Sequence, residues 1–197
     1  MKKIFLTIII FLITFNFQSL TRANDIRDFQ VEGISIGDSL LDYFNKKDIE
    51  QKAEAMYPNK EMKAATFKSY KFDKFEEIQF HWLSKDNKYK IQSISANIDY
   101  KNNINGCLEL RKKINSDIRS LFDEPKEEDW GKRVLDNVDP SLQTFAYQNI
   151  YWLQGGNIII SCRDYGKNKE KDLFIDYLSI LIDSKLFADW INNKAWN

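Results

Sequence analysis

Two cysteines, Cys107 and Cys162, constrain this chain more than any other pair of residues in it. In "GGNIIISCRDYG" (155–166) strand alternation puts Ile158, Ile160 and Cys162 on one face and Ser161, Arg163 and Tyr165 on the other, so Cys162 points into a core. In "NGCLELRKKINSDIRSLF" Cys107 heads a stripe continued by Leu110, Ile114, Ile118 and Leu121 at helical spacings, with charge opposite. A helix and a sheet that bury these faces against each other bring both sulfurs to one interface. A bridge there would close a loop of 55 residues, worth roughly 4 kcal/mol in the chain-entropy picture. The alternatives fit less well. A reactive thiol at the start of the Cys107 helix would gain from the helix N-terminus, but exchange motifs keep their sulfurs exposed and a few residues apart. Two sulfurs and the lone His81 do not complete a closed zinc site without carboxylates.

A paired disulfide implies an oxidising compartment, and the other end of the chain agrees. "MKKIFLTIIIFLITFNFQSLTRAND" opens with Lys2 and Lys3, runs apolar from Ile4 to Phe15 and reaches a small residue at Ala23. That is the pattern of a secretory signal peptide, residues 1–23. Its apolar run is about twelve residues, short of the roughly 20 that cross a bilayer as a helix. No cysteine stands near the expected cut, so a lipid anchor is not available and the mature chain has no stable membrane anchor. Losing Lys2, Lys3 and Arg22 takes the 29 basic side chains to 26 against 29 acidic ones. A balance that small and that slightly acidic argues against a nucleic-acid partner. Residues 24–197 suffice for a single domain with its own core.

Within that domain, "GISIGDSLLDYF" carries Asp38 as a cap with Ile36, Leu40 and Phe44 at four-residue spacing, which predicts a short helix. Asp48 with Gln51 predicts a second one, ending near Tyr57 before Pro58. Three strands follow, from Ala65, over "EEIQFHWL" and over 89–100, the last two with clean alternation and a hairpin break between them. The order then restarts. A helix capped by Asn105 precedes strands over 142–153, 157–165 and 172–182, with Gly155-Gly156 as a tight turn. A last helix begins near Ser184. The expectation is an α+β fold: antiparallel sheet with helices on one face, in tandem helix-plus-three-strand halves of about 24–103 and 104–197, closed by a C-terminal helix.

Few residues suggest chemistry. His81 falls on the outward face of its strand beside Gln79, with no orienting partner fixed near it in sequence. Glu76-Glu77 and the acids of "DEPKEEDW" could pair carboxylates, but adjacent acids in a strand point to opposite faces, and charged loops mostly solvate the surface. No glycine-rich phosphate loop, nucleophile elbow or zinc-binding helix motif occurs. No catalytic residue, cofactor or metal ligand set is therefore assigned. The segment 123–140 reads as a long loop with Trp130 in its middle, which either folds back onto the core or anchors a partner. The strand bearing Tyr147, Ile150, Tyr151 and Trp152 has large residues on both faces, so its second face must be covered by the terminal helix or by another protein. The second charged hairpin tip, after Tyr165, is read only as a tip.

"GISIGDSLLDYF", the Cys107 helix and "IISCRDYG" together resemble a family of small exported bacterial proteins without assigned function. A glycine-led short helix followed by a second helix and a sheet, with "SLFDEP" at a helix end, is similar to the SmpA/OmlA outer-membrane-assembly lipoproteins and to the β-lactamase-inhibitor-protein fold. The latter contains this unit in tandem, and the lipoprotein members carry a lipobox cysteine that this chain lacks. The resemblance implies protein binding rather than catalysis. The expected function is a periplasmic or secreted non-catalytic module that binds another envelope protein, with Trp130, Tyr151, Trp152 and His81 as contact residues. The alternative is a small-ligand-binding protein, or an enzyme of unrecognised type, with its site on the sheet face bearing His81.

Overall fold

The strand alternations of the sequence resolve into one antiparallel sheet with two unlike faces. The computed structural model describes residues 25–68, 72–101, 103–136, 139–166 and 174–197; the signal peptide expected over 1–23 and most of the tip after Tyr165 lie outside them. In chain order the elements are α1 (Lys46–Lys52), β1 (Met62–Lys68), β2 (Glu77–Leu83), β3 (Ser93–Asp99), α2 (Ile104–Leu121), β4 (Lys126–Val134), β5 (Phe145–Leu153), β6 (Gly156–Asp164), β7 (Tyr177–Ser184) and α3 (Lys185–Asn193). The sheet runs β1-β2-β3-β7-β6-β5-β4, so two meanders join where β3 pairs with β7. The fold is α+β.

The inner face is built from apolar rows. Ala65, Phe80, Ile94, Ile182, Ile158 and Tyr151 are successive partners across six strands. α2 lies over this face. Its Cys107 is bonded to Cys162 with Cα atoms 6.0 Å apart, at the interface the two apolar stripes require. The segment before α1 closes the same core with Ile26, Val31, Ile34, Ile36, Leu40 and Phe44, α1 adds Ile49, and Phe44 stacks on Phe67 at 3.7 Å.

Several local expectations shift. The helix expected at Asp38 is a single 3-10 turn, Leu40–Asp42, capped by Ser39. The Asp38 carboxylate instead accepts from the Ser35 N–H and the Tyr43 hydroxyl. α1 is capped by Asn45, which accepts from the Asp48 N–H, and it stops at Lys52 because Glu54 pairs backbone to backbone with Ala64. The cap of α2 is Asn103 rather than Asn105.

The largest correction is the supposed loop over 123–140, which contains edge strand β4. Its sequence, "KEEDWGKRV", lacks apolar alternation because neither face meets apolar core. Toward α2 it makes charged contacts instead: Arg119 donates to both oxygens of Glu127 at 2.6 and 2.8 Å, and Arg111 to Asp129 at 3.2 Å. The charges and the register shift between Asp129 and Gly131 protect an edge that would otherwise template pairing.

α3 lies on the opposite face from α2. Capped by Ser184, it packs its Phe187 and Trp190 with Met62 and Ala195 into a second, smaller core. Among the described residues no helix is long and apolar enough to cross a membrane.

Candidate functional site

The face under α3 carries polar side chains where the opposite face carries isoleucine. His81 on β2, Ser93 on β3, Asp183 on β7, Asn157 on β6 and Trp152 on β5 are successive partners in one cross-strand row. The neighbouring row runs Gln79, Ser95, Leu181, Ile159, Ile150 and Glu128. Since adjacent strands lie about 4.8 Å apart, the His81 and Asp183 backbones stand roughly 10 Å apart with Ser93 between them.

α3 covers only one end of this surface, leaving a cleft of about 490 Å³. Phe187, Ala188, Ile191 and Asn192 of α3 form one wall, Trp130 and Trp152 the other, and the two rows from β2 to β5 the floor. Its size falls within the range of small-ligand sites. A larger concavity of about 650 Å³ at the β2–β3 hairpin is lined by turn residues 59–61 and 83–86, none of them buried, and the Ser84 hydroxyl there already donates to the Lys60 carbonyl.

The polar floor is unusually buried. His81 is 4% exposed, Ser93 0% and Asp183 4%. Among the described residues, both imidazole nitrogens, the Ser93 hydroxyl oxygen and Asp183 Oδ1 have no hydrogen-bond partner. His81 was expected on a solvent face; it faces away from the main core as alternation requires, but α3 closes over it, with the Phe187 ring 4.7 Å and the Tyr57 ring 6.2 Å away. Burial pushes the imidazole down to about 4, so it is neutral at physiological pH. Burial likewise pushes the Asp183 carboxyl up to about 7. Ser93 lies near enough to favour the ionised form a little, but no aligned hydrogen bond joins the two, and loss of water decides the direction.

The tryptophan wall is held by one carboxylate. Glu128 accepts from the indole N–H of Trp152 at 3.1 Å and of Trp130 at 3.4 Å. Trp130 carries the Arg133 guanidinium over its ring at 3.9 Å, a cation–π contact. It neither folds into the core nor sits in a loop. Three of the four expected contact residues, His81, Trp130 and Trp152, thus meet in one cleft.

Tyr151 does not join them. It lies on the inner face, fully buried, and its hydroxyl donates to Glu127 at 3.1 Å. Glu127 also takes Asn149 at 2.7 Å, and Asn115 of α2 donates to Asn149 at 2.6 Å. Tyr151 therefore ties the α2 interface together and is not a contact surface. Sequence reading missed Ser93 and Asp183. Alternation places each on the outer face, but only the β3–β7 pairing sets them side by side.

Among the described residues no three or more histidines, cysteines or acids gather as a metal site. Comparison with protein-family models, curated proteins and solved structures gives no match, so the cleft is read from its own chemistry.

Proposed function

We propose that this protein is an exported binding protein that takes a small molecule into the cleft between α3 and the Trp130–Trp152 wall. The observation carrying this reading is the buried run of His81, Ser93 and Asp183, whose orphaned atoms lie at the floor of a cleft of ligand size. A polar group buried without a partner costs roughly 1–3 kcal/mol, and keeping three together is a loss that a bound molecule can offset. Apolar walls with a few convergent polar groups are the usual composition of such sites. Export to the periplasm or beyond is supported by the Cys107–Cys162 bridge and by the pattern of the first 23 residues.

The row favours binding over catalysis. In a Ser-His-Asp relay the imidazole stands between hydroxyl and carboxylate, whereas here Ser93 is central and no hydrogen bond joins it to His81. A thermal-shift screen of the mature protein against envelope metabolites tests the proposal. The expected result is a saturable rise in Tm with at least one compound, abolished in His81→Ala and weakened in Trp130→Ala. A folded protein that shifts with no compound across a chemically broad panel would sink it.

One observation favours a second reading, docking of another envelope protein. Trp130 and Trp152 are 39% and 43% exposed on the rim, an aromatic pair of the kind that anchors interfaces. A discrete crosslinked adduct in envelope extract that disappears in Trp130→Ala would support it, and its absence would count against it.

A further inference from the structure

The lining of the cleft is one-sided in charge. Among the described residues that line it, Asp183 is the only acid, His81 is held neutral by burial, and there is no lysine or arginine. Two basic groups beside the tryptophan wall are already engaged. Lys126 pairs with Glu128 at 3.4 Å, and the Arg133 guanidinium stacks on the Trp130 ring. An anionic ligand would enter a desolvated pocket without a counter-charge and against a carboxyl, which low-dielectric burial makes costly.

A cation meets the opposite situation. Asp183 lines the cleft, and its buried Oδ1 has no hydrogen-bond partner among the described residues. The tryptophans opposite offer ring faces that attract positive charge, as the Arg133 contact already does on Trp130. Between these ends the floor presents Leu181, Ile159 and Ile150, suited to an apolar body.

Resting on the cleft being a ligand site, we infer that its ligand is a small organic cation, an amine-bearing molecule whose ammonium group pairs with Asp183 while its apolar part lies along Ile159 and Ile150 toward Trp130 and Trp152. Ser93 and Asn157, the row neighbours of Asp183 on either side, flank the ammonium position, and the Ser93 hydroxyl supplies an acceptor for its remaining N–H groups. An ammonium that binds the ionised carboxyl displaces whatever proton that carboxyl holds, and the proton leaves to buffer.

The test uses three probes of matched size on the mature protein: 2-phenylethylamine, protonated at neutral pH, 2-phenylethanol and 3-phenylpropionate. Calorimetric titration should give the amine an affinity at least about tenfold above the alcohol, the difference expected when a hydrogen bond becomes charge-assisted, with no binding of the propionate. Asp183→Asn keeps the shape and should remove the preference, bringing the amine to the level of the alcohol. If the alcohol or the propionate binds as well as the amine in the wild type, the cleft is a ligand site and the charge assignment is wrong. If none of the three binds while the protein is folded by near-UV circular dichroism, both fall. Selectivity in the wild type alone decides the matter should Asp183→Asn fail to fold.

Discussion

Titrating His81 and Asp183 should change stability in opposite directions, and the wild type should hide both effects. In the folded protein His81 is pushed from 6.5 down to about 4. Between those values the unfolded chain holds a proton that the folded one does not, so stability rises with pH through this window. Asp183 is pushed from 3.8 up to about 7. There the folded chain holds the extra proton, so the stability it contributes is complete below 3.8 and is lost as pH rises through 7. Each pH unit between folded and unfolded values is worth ~1.4 kcal/mol, which gives about 3 kcal/mol for His81 and about 4 kcal/mol for Asp183. From pH 4 to 6.5 one group takes up a proton on unfolding while the other releases one, and the two slopes cancel. Asp183 faces Ser93, Asn157 and Tyr57, and His81 faces Ser93, Phe187 and Tyr57, so among the described residues neither has an ionic partner inside the cleft to blur the result.

Urea denaturation followed by tryptophan fluorescence at pH 4, 5, 6 and 7.5 measures this. The informative quantity is variant minus wild type, because the other carboxylates cancel in it. Asp183→Asn should gain on the wild type by about 3 to 4 kcal/mol from the lowest to the highest pH, and His81→Gln should lose about 3 kcal/mol over the lower part of the range. Difference curves flat to within ~0.5 kcal/mol would mean that water reaches both groups and that α3 does not seal the floor of the cleft.

Replacing both Cys107 and Cys162 with serine, or adding reductant, should lower unfolding stability by about 4 kcal/mol, read as a fall in the urea midpoint; an unchanged midpoint would refute the loop-closure account. Phe80→Ala opens the centre of the inner-face core, where Phe80 contacts both Phe44 and Phe67, and should cost about 3–5 kcal/mol in the same assay. Gly156→Ala places a Cβ against the Asp183 carbonyl, so β6 must shift relative to β7; about 1–3 kcal/mol should be lost and ligand response in the thermal-shift assay should drop with it. Glu128→Gln should leave stability within ~0.5 kcal/mol yet weaken ligand binding, because it loosens the acceptor shared by two exposed indoles.

Sequence by itself determined the α+β class, six of the strands and the pairing of Cys107 with Cys162, because each follows from a local periodicity that sorts side chains by face. It also picked out His81, Trp130 and Trp152, since an alternating strand exposes its odd members and a tryptophan among charges stands out. It was silent where a face acquires its neighbour. β4 carries no apolar signal because Arg111 and Arg119 hold it by charge, Tyr151 is interior because α2 arrives over its side of β5, and His81 is buried because α3 folds back across β7 and β6. Only the tertiary structure set Asp183 beside Ser93 and in one row with His81, since the β3–β7 register joins segments far apart in the chain. Water is withdrawn from that row by elements none of its own strands encode, and the loss of water is what gives the row its chemistry.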